Sequence, residues 1–300
     1  MLGKVWKEGV VLLVRVYPNI KEYLTLYECL MLQQEAISQM ILYNLYQSLE
    51  HNLKDCIFGA VLEEDNIVFL FCNYKPYNLT IYIVDTEKTH EAAVALADYI
   101  SHKEIEINGI LARQDVCLSF MEQYKKTVDC TFLEKIGMDI MEIRQISDLK
   151  PPIEGSYRLA LPEEVKLVTE WMIEYQIETL DSETDYEAAL KKATELINKN
   201  RVFLFEIENQ EMVSLVIALR KLPHGMALGY VYTPEEHRGK SYAVANLYYV
   251  SKYYLENGFE FCTLFVDKKN PIASRAYEKI GFKILENNYE YTIIKHSEEI

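Results

Sequence analysis

Two successive prolines and a glycine near the middle of the chain (Lys150-Pro151-Pro152-Ile153-Glu154-Gly155) constrain the fold more than any other feature. Proline lacks the amide hydrogen that a helix or a central strand requires, so neither element can run through this stretch. A chain of 300 residues is long enough for two domains of ordinary size. The sequence therefore predicts one domain over 1–150 and a second over 151–300. With 50% hydrophobic and 26% charged residues, both are expected to hold packed cores, which excludes a disordered tail or a disulfide miniprotein.

Hydrophobic spacing supplies the elements. Tyr23, Leu24, Tyr27, Leu30 and Met31, then Ile37, Ile41 and Leu45, recur at three- and four-residue steps and predict two helices between Ile20 and Leu49. Apolar runs at 57–61, 67–71 and 79–84 predict strands, followed by a helix over 87–101, a strand over 105–112 and a helix over 116–124. Beyond the prolines the order is a strand at 157–161, helices at 163–175 and around 186–197, and a hairpin of 202–207 with 212–219. A strand at 227–233, a helix at 239–256, a strand at 261–266, a helix at 271–280 and a strand at 289–294 complete it. The halves share the order strand, strand, strand, helix, strand, helix, as a duplicated and diverged domain would.

The net charge is −15, and no segment carries the basic footprint that phosphate-backbone binding needs, so a nucleic-acid partner is disfavoured. The six cysteines show no CxxC spacing and sit mostly in apolar runs, which predicts free thiols of a reducing cytoplasm and no metal site. The N-terminal run Val10–Val14 is broken by Arg15 and Pro18 and is too short to span a bilayer.

Chemistry concentrates in the second half. The segment Tyr230-Val231-Tyr232-Thr233-Pro234-Glu235-Glu236-His237-Arg238-Gly239-Lys240-Ser241-Tyr242-Ala243 runs from a hydrophobic strand through a basic loop into a long helix. A helix start offers unpartnered N–H groups and the positive end of the dipole, and Arg238 and Lys240 add charge, so this loop predicts a phosphate or pyrophosphate site. It matches neither a Walker loop nor GxGxxG. Downstream, a strand is followed by Asn270-x-x-Ala273-x-x-x-Tyr277-x-x-x-Gly281-Phe282.

Together these two motifs resemble the Gcn5-related N-acetyltransferase (GNAT) superfamily. That resemblance implies an α+β fold, here tandem GNAT-like domains, each a mixed, mostly antiparallel sheet flanked by helices. It implies acetyl-CoA as co-substrate, held by the pantetheine-pairing strand end Val231, Tyr232 and Thr233, by the loop Arg238, Gly239, Lys240, Ser241, Tyr242 and Ala243, and by Asn270. Ser241 stands where the family has glycine. Tyr277 is the expected acid for the departing thiolate, and Glu178, beside Glu174 at the end of the first helix of the domain, is the candidate base. The implied acceptor is an amine of a small molecule or peptide, with no membrane partner, and the chain is compatible with a homodimer. The rival expectation is a non-catalytic acyl-CoA-binding protein. The first half lacks the Arg-x-x-Gly motif and puts Asp85 and Glu87 at the corresponding strand end, so it is expected to be a degenerate scaffold.

Overall fold

Side chains alternate across a strand, and in both halves of this chain that alternation sends apolar residues to both faces of a sheet, each of which needs helices to cover it. The computed structural model describes residues 2–7, 10–51, 56–147, 151, 153–180 and 185–296. The chain divides into two units, Met1–Met138 with Glu286–Ile300, and Asp139–Leu285.

The first unit contains β1 (Leu2–Lys7), β2 (Val10–Val16), α1 (Ile20–Leu32), α2 (Glu35–His51), β3 (Cys56–Glu63), β4 (Asn66–Tyr74), β5 (Leu79–Ile83), α3 (Thr89–His102), β6 (Gly109–Ala112), α4 (Gln114–Tyr124) and the start of β7 (Cys130–Ile143). Strands β1 to β5 pair antiparallel in sequence order, and β6 joins β5 in parallel. Along β4, Phe69 and Phe71 enter the core beneath α3 and α4, while Leu70 and Cys72 enter the core beneath α1 and α2. The predicted strand over 105–112 is confined to Gly109–Ala112.

The second unit follows with β8 (Ser156–Leu159), α5 (Val165–Leu180), α6 (Tyr186–Asn198), β9 (Val202–Glu206), β10 (Met212–Lys221), β11 (Gly225–Tyr232), α7 (Tyr242–Glu256), β12 (Phe261–Asp267), α8 (Pro271–Ile280) and the start of β13 (Lys283–Lys295). Its strands lie in the order β12-β11-β10-β9-β8, antiparallel except for β11 with β12. One core packs under α7 and α8, with Phe203, Val216, Leu228 and Leu247, and another under α5 and α6, with Val168, Leu204, Leu215 and Ile217. Asn246, buried on α7, donates from Nδ2 to the carbonyls of Phe203 and Ser214 at 3.3 and 3.2 Å and so clamps the helix to the sheet. The expected α+β class, mostly antiparallel with helices on both faces, is what both units show.

The predicted boundary at 150/151 is displaced. The division falls within β7, at 138/139, and the chain returns to the first unit at Glu286 in β13. The sequence of β7 hides it: Glu134, Lys135 and Asp139 interrupt its apolar positions, yet the strand holds through main-chain bonds that ignore side-chain polarity. Lys150 and Pro152 of the predicted linker lie outside the described residues. Among the described residues, no helix is long and apolar enough to cross a membrane.

Helix α8 is fixed at both ends. Asn270 caps its start by accepting from the Ala273 amide at 3.1 Å, and Pro271 opens the first turn. Gly281 ends it with φ +116°, and a Cβ there would lie 2.8 Å from the Gln145 carbonyl oxygen. Gly281→Ala is expected to destabilise the fold by about 2 kcal/mol, through the left-handed backbone and the clash together. A thermal or urea midpoint equal to that of the parent would contradict this.

Candidate functional site

The site begins where two parallel strands stop pairing. β11 and β12 are in register only over Gly225–Ala227 with Phe261–Thr263, although β11 continues to Tyr232 and β12 to Asp267. Beyond that point they part. A second irregularity follows in β11: its register against β10 jumps between Leu215 opposite Tyr232 and Ile217 opposite Gly229, so β11 carries an extra residue. Tyr230 sits in this bulge with φ +47°. The bulge reverses the alternation. Met226 and Leu228 face α7 and α8, whereas Tyr230 and Tyr232 face α5 and α6, and Val231 turns to the α7 side.

A cleft of about 410 Å³ lies along this parted edge. Of the residues expected to bind a cofactor, Val231, Thr233, Arg238, Gly239, Ser241, Tyr242, Ala243 and Asn270 line it, as does Tyr277. His237 and Ala273, which stand within the two quoted motifs, line it as well, as do Val244, Ile272 and Ala276, which were not singled out from the sequence. The three- and four-residue steps that lead from Asn270 through Ala273 to Ala276 and Tyr277 are the signal that would have found Ala276.

The loop into α7 is built for close approach. Gly239 has φ +77° with nothing within 4 Å of where a Cβ would stand. Ser241, at the start of the helix, takes φ +62° and makes no side-chain capping bond. The predicted helix start at 239 is therefore corrected to Tyr242, because these two left-handed residues turn the chain first. The first amides of α7 carry no side-chain cap from Ser241. Thr233 Oγ1 is buried beside the same cleft, with no hydrogen-bond partner among the described residues. Amides at a helix start and an orphaned hydroxyl fit a phosphate-bearing ligand.

Three expected residues do something else. Arg238 donates from Nη2 to both carboxylate oxygens of Glu178 at 2.7 Å and from Nε to the Thr233 carbonyl at 3.0 Å. Its charge is thus matched, and it ties the loop to α5. Glu178, the candidate base, is that partner and is absent from the cleft lining. Tyr232 points away from the cleft, packing on Trp171 and donating to Glu174 at 2.8 Å. Lys240 is exposed and outside the lining. Among the described residues, no Asp or Glu lines the cleft.

Tyr277 is buried at 8% exposure, and that burial, with Tyr175 adjacent, pushes its phenol well above the ordinary tyrosine range. It therefore holds its proton at neutral pH and can act as a donor but not as a base. On the opposite face, Tyr230 accepts from Gln176 at 2.6 Å and from Lys192 at 3.3 Å. Ser214 donates to the Tyr232 carbonyl at 2.9 Å, which anchors the strand beyond the bulge.

Residues 165–282 match the model of the Acetyltransferase (GNAT) family. No curated protein sequence matches the chain. Among solved structures, a GCN5-related N-acetyltransferase from Sphaerobacter thermophilus is 15% identical, with a TM-score of 0.57 over 95% of each chain. A Drosophila protein is 11% identical, with a TM-score of 0.62 over 95% of this chain and 99% of its own. An acetyltransferase of the GNAT family from Colwellia psychrerythraea is 13% identical, with a TM-score of 0.52 over 80% of this chain and 86% of its own. These likenesses concern the fold, and the first two extend over both units.

Ser241 holds a left-handed conformation that costs a non-glycine residue about 1–2 kcal/mol, partly offset by the extra chain entropy of glycine, about 0.5–1 kcal/mol. Ser241→Gly is expected to leave stability unchanged or raise it by up to ~1 kcal/mol. A lowered melting temperature would show that the hydroxyl holds the loop.

Proposed function

We propose that this chain, whose residues 165–282 belong to the GNAT acetyltransferase family, moves an acetyl group from acetyl-CoA to an amine by direct transfer. The observation that carries the proposal is the cleft along β11, with an uncapped helix start at one wall and a buried, protonated phenol at the other.

Acetyl-CoA supplies an activated thioester carbonyl and a thiolate leaving group. The amides of Gly239 and of the first turn of α7 would hold its pyrophosphate, with Lys240 adding long-range positive charge. Val231 and Thr233, on the parted edge of β11, would pair with the amides of the pantetheine arm, and Thr233 Oγ1 would gain a partner. Asn270 spends Oδ1 on its helix cap, so only its Nδ2 would turn to the ligand. The amine nitrogen attacks the carbonyl carbon, the C–S bond breaks and the sulfur takes the proton of Tyr277, while the proton lost by the amine nitrogen passes to water, from which the phenol is reprotonated. No covalent enzyme intermediate is required. Cys262 is buried in β12 with its thiol pushed up to about 12 by burial, which makes it a poor nucleophile.

The acceptor is a small-molecule or peptide amine, and the six free cysteines support a cytoplasmic site of action. The first unit is read as a degenerate relative: after β5, Asp85 spends its carboxylate on the Glu87 amide at 2.8 Å, which puts negative charge where a pyrophosphate would sit.

A CoA-release assay with a panel of amines tests the reaction, since only an enzyme releases thiol faster when an amine is added. Tyr277→Phe keeps the ring and removes the proton donor. It should lower kcat on the order of a hundredfold with KM for acetyl-CoA near the parent value. An unchanged kcat would make the phenol a packing residue.

Glu178→Gln separates tether from base. As a tether it should raise KM for acetyl-CoA by no more than about tenfold with kcat nearly unchanged, whereas loss of a base would lower kcat by ~100-fold or more.

A further inference from the structure

A second cavity, also about 410 Å³, opens on the α2 side of the first unit, and the proposed acetyl transfer makes no use of it. Its floor is a row of residues in adjacent strands: Thr80 of β5 stands opposite Leu111 of β6, which stands opposite Glu290 of β13. Glu290 Oε1 accepts from Asn78 Nδ2 at 2.9 Å and lies 3.3 Å from the Lys135 ammonium, and among the described residues both contacts fall on that one oxygen. Met40 and Asn44, one turn apart on α2, close the other side.

Asn44 is the telling residue. It is 2% exposed, and among the described residues its Nδ2 has no hydrogen-bond partner. A buried donor left unsatisfied costs about 1–3 kcal/mol, and a leucine at the same helical position would avoid that cost. The amide is therefore a burden on the folded state unless something in the cavity accepts from it. At the rim, Tyr77 is 52% exposed and stacks on Tyr74 with ring centroids 5.3 Å apart and planes 19° apart, so it presents a fixed aromatic face.

We propose that this cavity binds a small, uncharged, polyhydroxylated ligand of the monosaccharide or cyclitol class. The volume falls within the range of small-molecule sites. Among the described residues, the only charges in the lining, Lys135 and Glu290, are paired with each other, so an anion would meet the carboxylate and a cation the ammonium. Hydroxyl groups both donate and accept, which suits a site that offers the unpartnered Asn44 donor beside Glu290 and Thr80. The apolar face of a sugar ring matches Tyr77.

Saturation-transfer NMR on the full chain tests this with D-glucose and myo-inositol as probes, and with glycine and methylphosphonate, whose C–H protons can be observed, as charged controls. Transfer to glucose or inositol ring protons is expected, with none to the controls. Asn44→Leu should weaken binding at least tenfold while its melting temperature equals or exceeds that of the parent. Tyr77→Ala, a change on the exposed rim, should weaken binding to a similar degree and carries the test if the leucine variant does not fold. Absence of transfer from both polyols, transfer to a charged control alone, or full binding in either variant would overturn the proposal.

Discussion

The cleft in the second unit rests on one backbone constraint: a parallel pair that is in register for three residues and then parts. Main-chain N–H and C=O groups are obligatory hydrogen-bonding groups, and an edge left open inside a fold is unfavourable unless water or a ligand meets it. The parting of β11 from β12 after Ala227 creates such an edge. The bulge at Tyr230 then decides which side chains stand beside it. With unbroken alternation, Tyr230 would face α7 beside Leu228. The extra residue sends both tyrosines to the α5 and α6 core and leaves the smaller Val231 and Thr233 at the cleft. Room for a ligand is thus a consequence of one inserted residue.

Electrostatics in the loop are quieter than its Arg-Gly-Lys sequence suggests. Arg238 faces a carboxylate across a two-oxygen contact, and both partners are close to half exposed, so the pair contributes little to stability. Its value is geometric, because it joins the loop to α5, while Arg238 also donates from Nε to the Thr233 carbonyl. Anion attraction then falls to the backbone at Gly239 and the start of α7, where the dipole acts without a competing side chain.

The regular elements were largely legible in the sequence because they follow hydrophobic spacing. Both helices between Ile20 and Leu49, the three strands from Cys56 to Ile83 and the hairpin of β9 with β10 fall where that spacing puts them. Ala243, Asn270 and Tyr277 were legible from the two motifs and do gather in one cleft. What escaped was set by long-range pairing. β7 is a strand because its neighbours bond to it, and its charged residues conceal it. β2 was visible only as an apolar run, and the return of the chain to the first unit at Glu286 has no local signature. The Arg238–Glu178 contact spans 60 positions, and the direction of Tyr232 depends on a bulge, so neither follows from local pattern.

The two units carry one arrangement of strands with different surroundings. In each, a parallel pair follows an antiparallel run, and a helix follows the first strand of that pair. In the second unit, the strand leads into a loop with two left-handed residues and an uncapped helix start, which favours an anion. In the first, β5 leads to Asp85 and Glu87, and the acidic turn closes on itself through the bond to the Glu87 amide, which disfavours one. The polar cavity of that unit lies instead over the paired part of β5 and β6, where Thr80 and Leu111 are in register and the main chain is already satisfied. A ligand there has only side chains to meet, and the unpartnered amide of Asn44 is the group that most needs it. The two proposed sites therefore differ in kind, main-chain groups meeting the ligand in the second unit and side chains in the first, and the difference is carried by the residues that follow and flank the parallel pair.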